Sequence, residues 1–87
     1  MILHVVEATV CGAHRLNLRF NDGVRKTVDL TPLLTGPVFR PLKDPAYFAR
    51  VVVDAEAGTV VWPNGADLAP EALYDQPSVG DQKVRPV

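Results

Sequence analysis

The stretch from Trp62 to Tyr74, WPNGADLAPEALY, holds the residues of this 87-residue chain that are best suited to chemistry. Within it Asn64, Asp67 and Glu71 place two carboxylates and an amide between two aromatic side chains. Such a group could bind a divalent cation or carry out acid–base catalysis. Neither chemistry is favoured, because no histidine lies nearby in sequence and the oxygen ligands are too sparse for a cation-binding loop.

The same residues have a structural interpretation, which we favour. Residues 63–65 form a turn, since proline presets φ and glycine tolerates positive φ. Asp67 is expected to accept hydrogen bonds from backbone N–H groups near a helix that begins at Pro70. Trp62 then fills the edge of the core, and Tyr74 packs with its hydroxyl outward. The predicted structural signature comprises Trp62, Pro63, Asn64, Gly65, Asp67, Pro70, Glu71 and Tyr74.

Other reactive side chains are few and scattered. Cys11 and His14 flank a predicted turn, where a thiol–imidazole pair is conceivable, and His4 lies on the preceding strand. The single serine, Ser78, belongs to no nucleophile elbow, and the chain contains no glycine-rich phosphate-binding motif. We therefore expect no catalytic residue, no metal site and no cofactor, and a protein that is not an enzyme.

Composition and charge restrict the class of protein. The chain is 47 % hydrophobic and 22 % charged with a net charge of −1, which indicates one small globular domain and argues against a dedicated nucleic-acid-binding protein. The lone cysteine suits a reducing cytoplasm. No basic start of a signal peptide and no apolar run of roughly 18 residues is present, so we expect a cytoplasmic protein without membrane association.

The charges are unevenly distributed along the chain. Residues 1–50 carry seven basic and four acidic side chains, a net charge of +3, whereas residues 51–87 carry two and six, a net charge of −4. This layout can favour head-to-tail contacts between copies or binding of a charged partner. A solvated surface without further role is the alternative.

The elements that position these side chains begin with a three-stranded antiparallel meander over residues 2–30. Leu16, Leu18 and Phe20 alternate with polar residues, the period of a strand with one buried face. A three-residue loop at residues 21–23 pairs Phe20 with Val24, whereas a two-residue loop would turn polar residues toward the core. By the same reasoning a loop at residues 11–13 pairs Ala8 with Leu16. The predicted core face is Val6, Ala8, Val10, Leu16, Leu18, Phe20, Val24, Val28 and Leu30.

The opposite face of the meander is polar and rich in arginine. Glu7, Thr9 and Asp29 lie there, and the predicted register places Arg15 across from Asp29 and close to Glu7. A two-layer domain leaves one sheet face open, so this surface is the candidate interaction face. We call it the arginine face and define it by Arg15, Asn17, Arg19, Arg25 and Thr27.

The second half of the chain predicts short helices and one more hairpin. Asp44 caps a helix that begins at Pro45, and a four-residue connection ending in Gly58 joins two further strands. The prediction is an α+β fold: a small two-layer domain with an antiparallel sheet, formed by the N-terminal meander and the second hairpin, and short helices on one face. Residues 1–75 form the domain, and residues 76–87 form a flexible C-terminal tail.

The segments LRFNDG, VDLTPLL, FRPLKD and above all the Trp62–Tyr74 stretch resemble a bacterial family, domain of unknown function number twenty-four forty-two. The resemblance runs from about residue 3 to residue 75, and every position of the W-P-N-G-x-D-x-x-P-E-x-L-Y pattern is present. It implies a small α+β domain without established catalytic residues. Some members of that family are fused to a helix-turn-helix domain, and many lie beside another small gene, which suggests toxin–antitoxin-like pairs.

Two functional hypotheses follow from these observations. The first is a protein-interaction module that binds a partner, such as the product of a neighbouring gene, or a second copy of itself, through the open sheet face or an edge strand. The second is a nucleic-acid-associated accessory domain that uses Arg15, Arg19 and Arg25. A small enzyme that uses Asp67 or Glu71 ranks last.

Overall fold

The computed structural model describes residues 2–79 and contains five strands and several short helices. The strands are β1 (Val5–Val10), β2 (Arg15–Phe20), β3 (Arg25–Asp29), β4 (Val52–Asp54) and β5 (Thr59–Val61). Two 3₁₀ helices (Thr31–Leu33 and Pro37–Lys43) and helix α1 (Pro45–Phe48) lie between β3 and β4, and helix α2 (Pro70–Asp75) follows β5.

The three-stranded meander is antiparallel, with β2 in its centre. Leu16, Leu18 and Phe20 are fully buried, as their alternation in β2 predicts. Strands β4 and β5 form a separate two-stranded hairpin. The predicted α+β fold with a meander, a second hairpin and short helices is therefore confirmed.

The register of the β2–β3 hairpin is also confirmed. Leu16 pairs with Val28, and the Phe20 N–H donates to the Val24 carbonyl at 2.9 Å, which leaves a three-residue loop. Gly23, the third loop residue, has φ of +90°, a conformation that glycine adopts without steric cost. Matching of apolar residues across the strands was sufficient to predict this loop.

The register predicted for the β1–β2 hairpin is wrong by two residues. Ala8 pairs with Leu18, not with Leu16, and Val10 pairs with Leu16, not with His14. The Cys11 N–H donates to the Arg15 carbonyl at 3.0 Å, so the three-residue loop comprises residues 12–14 and not residues 11–13. A shift of two residues leaves each side chain on the same sheet face, and the apolar pattern therefore cannot distinguish the two registers.

Two residues of the predicted core are misassigned. The register slips between Val5 and Glu7, and Val6 is the extra residue of this β-bulge. Val5 is consequently buried, whereas Val6 is 39 % exposed. Val24, at the end of the β2–β3 loop, is 37 % exposed.

The layer that covers the meander comes from the helices and the β4–β5 hairpin. Asp44 caps α1 by accepting a hydrogen bond from the Ala46 N–H at 3.1 Å, and Pro45 begins the helix, as predicted. This cap turns Phe48 inward, where it is fully buried. The core contains Val5, Leu16, Leu18, Phe20, Val28, Leu30, Leu34, Leu42, Phe48, Val60, Trp62, Ala66, Leu68 and Leu73.

The β4–β5 hairpin is joined to the start of β1 through Gly58. Asp54 pairs with Thr59, which gives the predicted four-residue connection. The Val5 N–H donates to the Gly58 carbonyl at 2.9 Å. Gly58 has φ of +71°, and a Cβ added there would lie 2.6 Å from the ring of His4. Both the backbone conformation and the close approach of His4 therefore require glycine.

The predicted tail over residues 76–87 is described only in part. Residues 80–87 lie outside the described residues. Before them, the Val79 N–H donates to the Thr27 carbonyl at 2.8 Å, and the Gln76 side chain reaches the Asp29 carbonyl at 3.4 Å. Residues 76–79 thus run along the outer edge of β3.

Replacement of Gly58 by alanine should destabilise the domain more than replacement of Gly23. Both variants force an L-residue to positive φ, at a cost of about 1–2 kcal/mol. Gly23→Ala meets nothing within 4 Å, whereas Gly58→Ala also collides with His4. Urea unfolding measures both, and His4→Ala in the Gly58→Ala background should recover the difference. Equal losses for the two single variants would contradict this account.

Candidate interaction surface

The arginine face is assembled as predicted, but its charges pair with one another. In the observed register Glu7 pairs with Arg19 across β1 and β2, and the Arg19 Nε donates to the Glu7 carboxylate at 2.8 Å. A guanidinium nitrogen of Arg25 lies 3.8 Å from the same carboxylate oxygen. The predicted proximity of Glu7 to Arg15 is replaced by these two contacts, because the register differs by two residues.

The remaining residues of the face form two further pairs. The Arg15 Nε lies 3.7 Å from a carboxylate oxygen of Asp29, directly across β2 and β3, as predicted. The Asn17 amide donates to the Thr27 hydroxyl at 2.9 Å. Three guanidinium groups therefore face two carboxylates on this surface, and the residual charge is small.

The ion pairs shift the titration of the carboxylates that form them. The hydrogen bond and the charge of Arg19 lower the pKa of Glu7, and the same contact raises the pKa of Arg19. The pKa of Asp29 is lowered first by the Thr31 N–H, which donates to it at 2.9 Å, and then by Arg15. All of these carboxylates stay charged at neutral pH, so the pairs persist there.

The signature segment is attached to the rest of the domain at its first residues. The buried Trp62 indole donates from Nε1 to the Phe48 carbonyl at 2.9 Å. The Asn64 amide donates to the Val38 carbonyl at 2.9 Å, and its oxygen accepts from the Ala66 N–H at 3.1 Å. Residues 62–66 thus form a tight turn that holds the second 3₁₀ helix and α1 against the core.

The last residue of the signature attaches to the meander. The Tyr74 ring packs edge-on against Phe20 with ring centroids 4.9 Å apart, and its hydroxyl donates to the Asp22 carboxylate at 2.7 Å. The Lys26 ammonium donates to the Tyr74 carbonyl at 2.5 Å. The hydrogen bond between Tyr74 and Asp22 lowers the pKa of Asp22 and raises the pKa of Tyr74. The predicted outward direction of the hydroxyl is observed, with a carboxylate as its partner.

One of the two carboxylates of the signature, Asp67, differs from the prediction. Pro70 begins α2 as predicted, but the residue before it is Ala69, and no side chain caps this helix. Asp67 is exposed and pairs with Val61 through a backbone bridge, so its predicted hydrogen bond to the helix start is wrong. Glu71 lies exposed in the first turn of α2. Within residues 2–79, no group of three or more potential metal-ligating side chains is arranged around a common point.

The histidines lie at opposite ends of the meander. The His14 Nε2 lies 2.8 Å from the Lys43 carbonyl, to which it must donate, and its ring packs edge-on against Phe48 at 5.4 Å. A cleft of about 370 Å³ is lined by His14, Arg15, Asp29 and Thr31 among others. Neither Asp67 nor Glu71 lines this cleft. The polar side chains that the sequence singled out are thus dispersed over separate parts of the domain.

The two outer edges of the meander differ in a way that residue types alone did not predict. On β3, Val79 and Gln76 bond the outward carbonyls of Thr27 and Asp29. On β1, the Cys11–Arg15 hydrogen bond fixes the alternation of the ladder, so that Ala8 and Val10 direct their backbone groups outward.

Among the residues that the structure describes, nothing bonds these outward groups. The signal in the sequence was the position of β1 at the end of the meander, which makes it an edge strand.

Over residues 2–79 the geometry defines a small α+β domain with an antiparallel meander, a tryptophan-to-tyrosine segment that fastens its covering layer, and an open outer edge on β1. The chain belongs to the family described as Protein of unknown function (DUF2442), whose sequence profile matches residues 5–77. The family resemblance predicted from the signature is thereby confirmed. No curated protein and no solved structure matches the chain. None of the helices in residues 2–79 is long and apolar enough to cross a membrane.

Replacement of Trp62 by phenylalanine should be strongly destabilising. The variant loses the indole N–H and leaves the Phe48 carbonyl without its partner in a buried site, at a cost of about 2–3 kcal/mol including the space left by the smaller ring. Asn64→Ala is the comparison, because water can replace its more exposed hydrogen bonds, and it should cost less. Urea denaturation of both variants measures the difference, and a loss for Asn64→Ala as large as that for Trp62→Phe would contradict the prediction.

Neutralisation of Asp22 should lower the pKa of Tyr74. The Asp22 charge opposes ionisation of the phenol, so Asp22→Asn removes the main cause of the raised pKa. The chain has two tyrosines, and Tyr47→Phe leaves Tyr74 as the only one, so that phenolate absorbance reports Tyr74 alone. The absorbance should rise at lower pH in the double variant than in Tyr47→Phe. An unchanged titration would mean that Asp22 does not hold this hydroxyl.

Proposed function

We propose that this chain is a non-enzymatic protein-interaction module that pairs with another polypeptide through the outer edge of β1. The observation that carries the proposal is the set of outward backbone groups of Ala8 and Val10, which have no partner within residues 2–79. Unpaired N–H and C=O groups on a strand edge are satisfied by another strand, and this is a common mode of protein recognition. The partner class is therefore a polypeptide that supplies an extended segment.

The backbone around this edge allows a partner strand to pair over only a few residues. The bulge at Val6 interrupts regular pairing, and the Val5 N–H is already bonded to Gly58. Regular pairing can therefore extend only from Ala8 toward Val10. A short, well-defined edge of this kind supports selective pairing and limits indiscriminate aggregation.

A non-enzymatic role is supported by the positions of the polar side chains. His14 is engaged with the Lys43 carbonyl, and Asp67 and Glu71 are exposed on the segment around α2. Cys11 is exposed on the loop between β1 and β2. A catalytic site needs an acid or base and a nucleophile within hydrogen-bond reach of one substrate position, and these residues do not form such a group.

The alternative function, association with nucleic acid through Arg15, Arg19 and Arg25, has weaker support. Each of these guanidinium groups lies within 4 Å of Glu7 or Asp29. Phosphate binding would have to compete with these carboxylates, and no aromatic side chain of the arginine face is available for base stacking. Titration of labelled DNA and RNA at low and moderate salt tests this alternative, because phosphate contacts weaken steeply with salt.

One partner that fits this edge is the product of the neighbouring gene, as in a toxin–antitoxin-like pair in the bacterial cytoplasm, and a second copy of the chain would compete with it for the same edge. Co-expression of both genes should yield a complex that copurifies with this chain. Ala8→Pro removes an outward N–H without removing a hydrogen bond to β2, so it should weaken or abolish copurification. Ala8→Val keeps the N–H and should retain the partner. Circular dichroism confirms that both variants are folded, and equal capture by both would contradict pairing at this edge.

A further inference from the structure

We infer that the outer edge of β1 pairs antiparallel with β1 of a second copy of this chain, with a two-fold axis at Thr9. This inference rests on the proposed function and names a partner of the same edge. A two-fold axis is the commonest symmetry of protein oligomers, and it requires a surface that is complementary to itself. The spacing of the outward N–H and C=O groups on β1 makes this edge complementary to a second copy of itself.

The spacing of Ala8 and Val10 selects one register. Both residues direct N–H and C=O outward, and one residue separates them. When Ala8 faces Val10 of the second copy, Val10 also faces Ala8 of that copy, and all four outward N–H groups of the pair find acceptors. A register centred on Ala8 would use the bulged Val6, and one centred on Val10 would use Gly12 in the loop.

The side chains at the axis are compatible with this register. Thr9 would face Thr9 of the second copy in a non-hydrogen-bonded pair, where side chains approach closely and threonine pairs are favourable. Thr9 is exposed on the open face of the sheet. On the other face the partly buried Ala8 and Val10 would cover each other's remaining exposed surface.

A folded second copy suits this edge better than an unstructured peptide does. The edge offers only the hydrogen bonds of two residues, and ordering several residues of a free peptide costs more than so few hydrogen bonds return. The β1 strand of a second copy is already ordered by β2, so it does not incur this cost. The interface is small, and the expected dimer is weak and dependent on concentration.

Charge substitution at the axis tests the register. Sedimentation equilibrium of the wild-type chain over a wide concentration range should show a monomer–dimer equilibrium. Thr9→Lys and Thr9→Glu each place like charges in direct contact and should raise the dissociation constant at least about tenfold. An equimolar mixture of the two variants should associate again, because the ammonium group of one variant would face the carboxylate of the other across the axis of the mixed pair.

Cross-linking gives a second readout. In a Cys11→Ser background, Thr9→Cys places two thiols across the axis at a separation that a disulfide spans. Arg25→Cys in the same background is the matched control, since it is exposed on the same sheet face but on β3. Mild oxidation should yield a covalent dimer much faster for Thr9→Cys than for Arg25→Cys.

The inference is overturned if the chain is monomeric at every concentration, if Thr9→Lys leaves the dimer unchanged, or if both cysteine variants cross-link at the same rate. Failure of self-association can be told apart from failure of the proposed function by the copurification experiment. Copurification of the neighbouring gene product that Ala8→Pro abolishes would retain β1 as a pairing edge, with a different chain as its partner. Loss of both self-association and copurification would remove the edge as an interaction surface.

Discussion

The hydrogen bond from the Trp62 indole to the Phe48 carbonyl holds together the two parts of the layer that covers the meander. Phe48 ends α1, whereas Trp62 follows β5, so the bond joins the helical cover to the second hairpin inside the core. A chain of this size has few buried residues, and each such tie between elements therefore carries a large share of the net stability. The turn at Asn64 extends the attachment to the second 3₁₀ helix, and the contact of Tyr74 with Asp22 extends it to the meander.

Much of the fold could be predicted because apolar residues alternate with a clear period. The Leu16–Leu18–Phe20 pattern predicted β2, and matching Leu16 with Val28 predicted the register of the second pair of strands. Matching failed for β1, where a shift of two residues gives an equally apolar pairing. The bulge at Val6 was not predictable either, because no residue pattern marks it, and the Val5–Gly58 hydrogen bond beside it joins segments far apart in sequence.

The candidate site was predictable only at the level of which residues share a face. The five residues of the arginine face do lie together, but the actual partners of Glu7 followed from the register that the pattern could not determine. Asp67 has the residue type of a helix cap, yet the chain reaches α2 with Ala69 in the capping position. The open edge of β1 has no residue-type signal at all, because it consists of backbone groups that every residue except proline possesses.

The segment that runs beside β3 decides what kind of assembly the meander can form. A meander with one vacant side accepts a single neighbour, and growth of that sheet then stops, because neither meander offers another free edge. If Val79 and Gln76 did not occupy the β3 side, each copy would present two vacant sides, and copies could add one after another into an open-ended fibre. A few residues after the last helix would thus limit pairing through the meander to one partner.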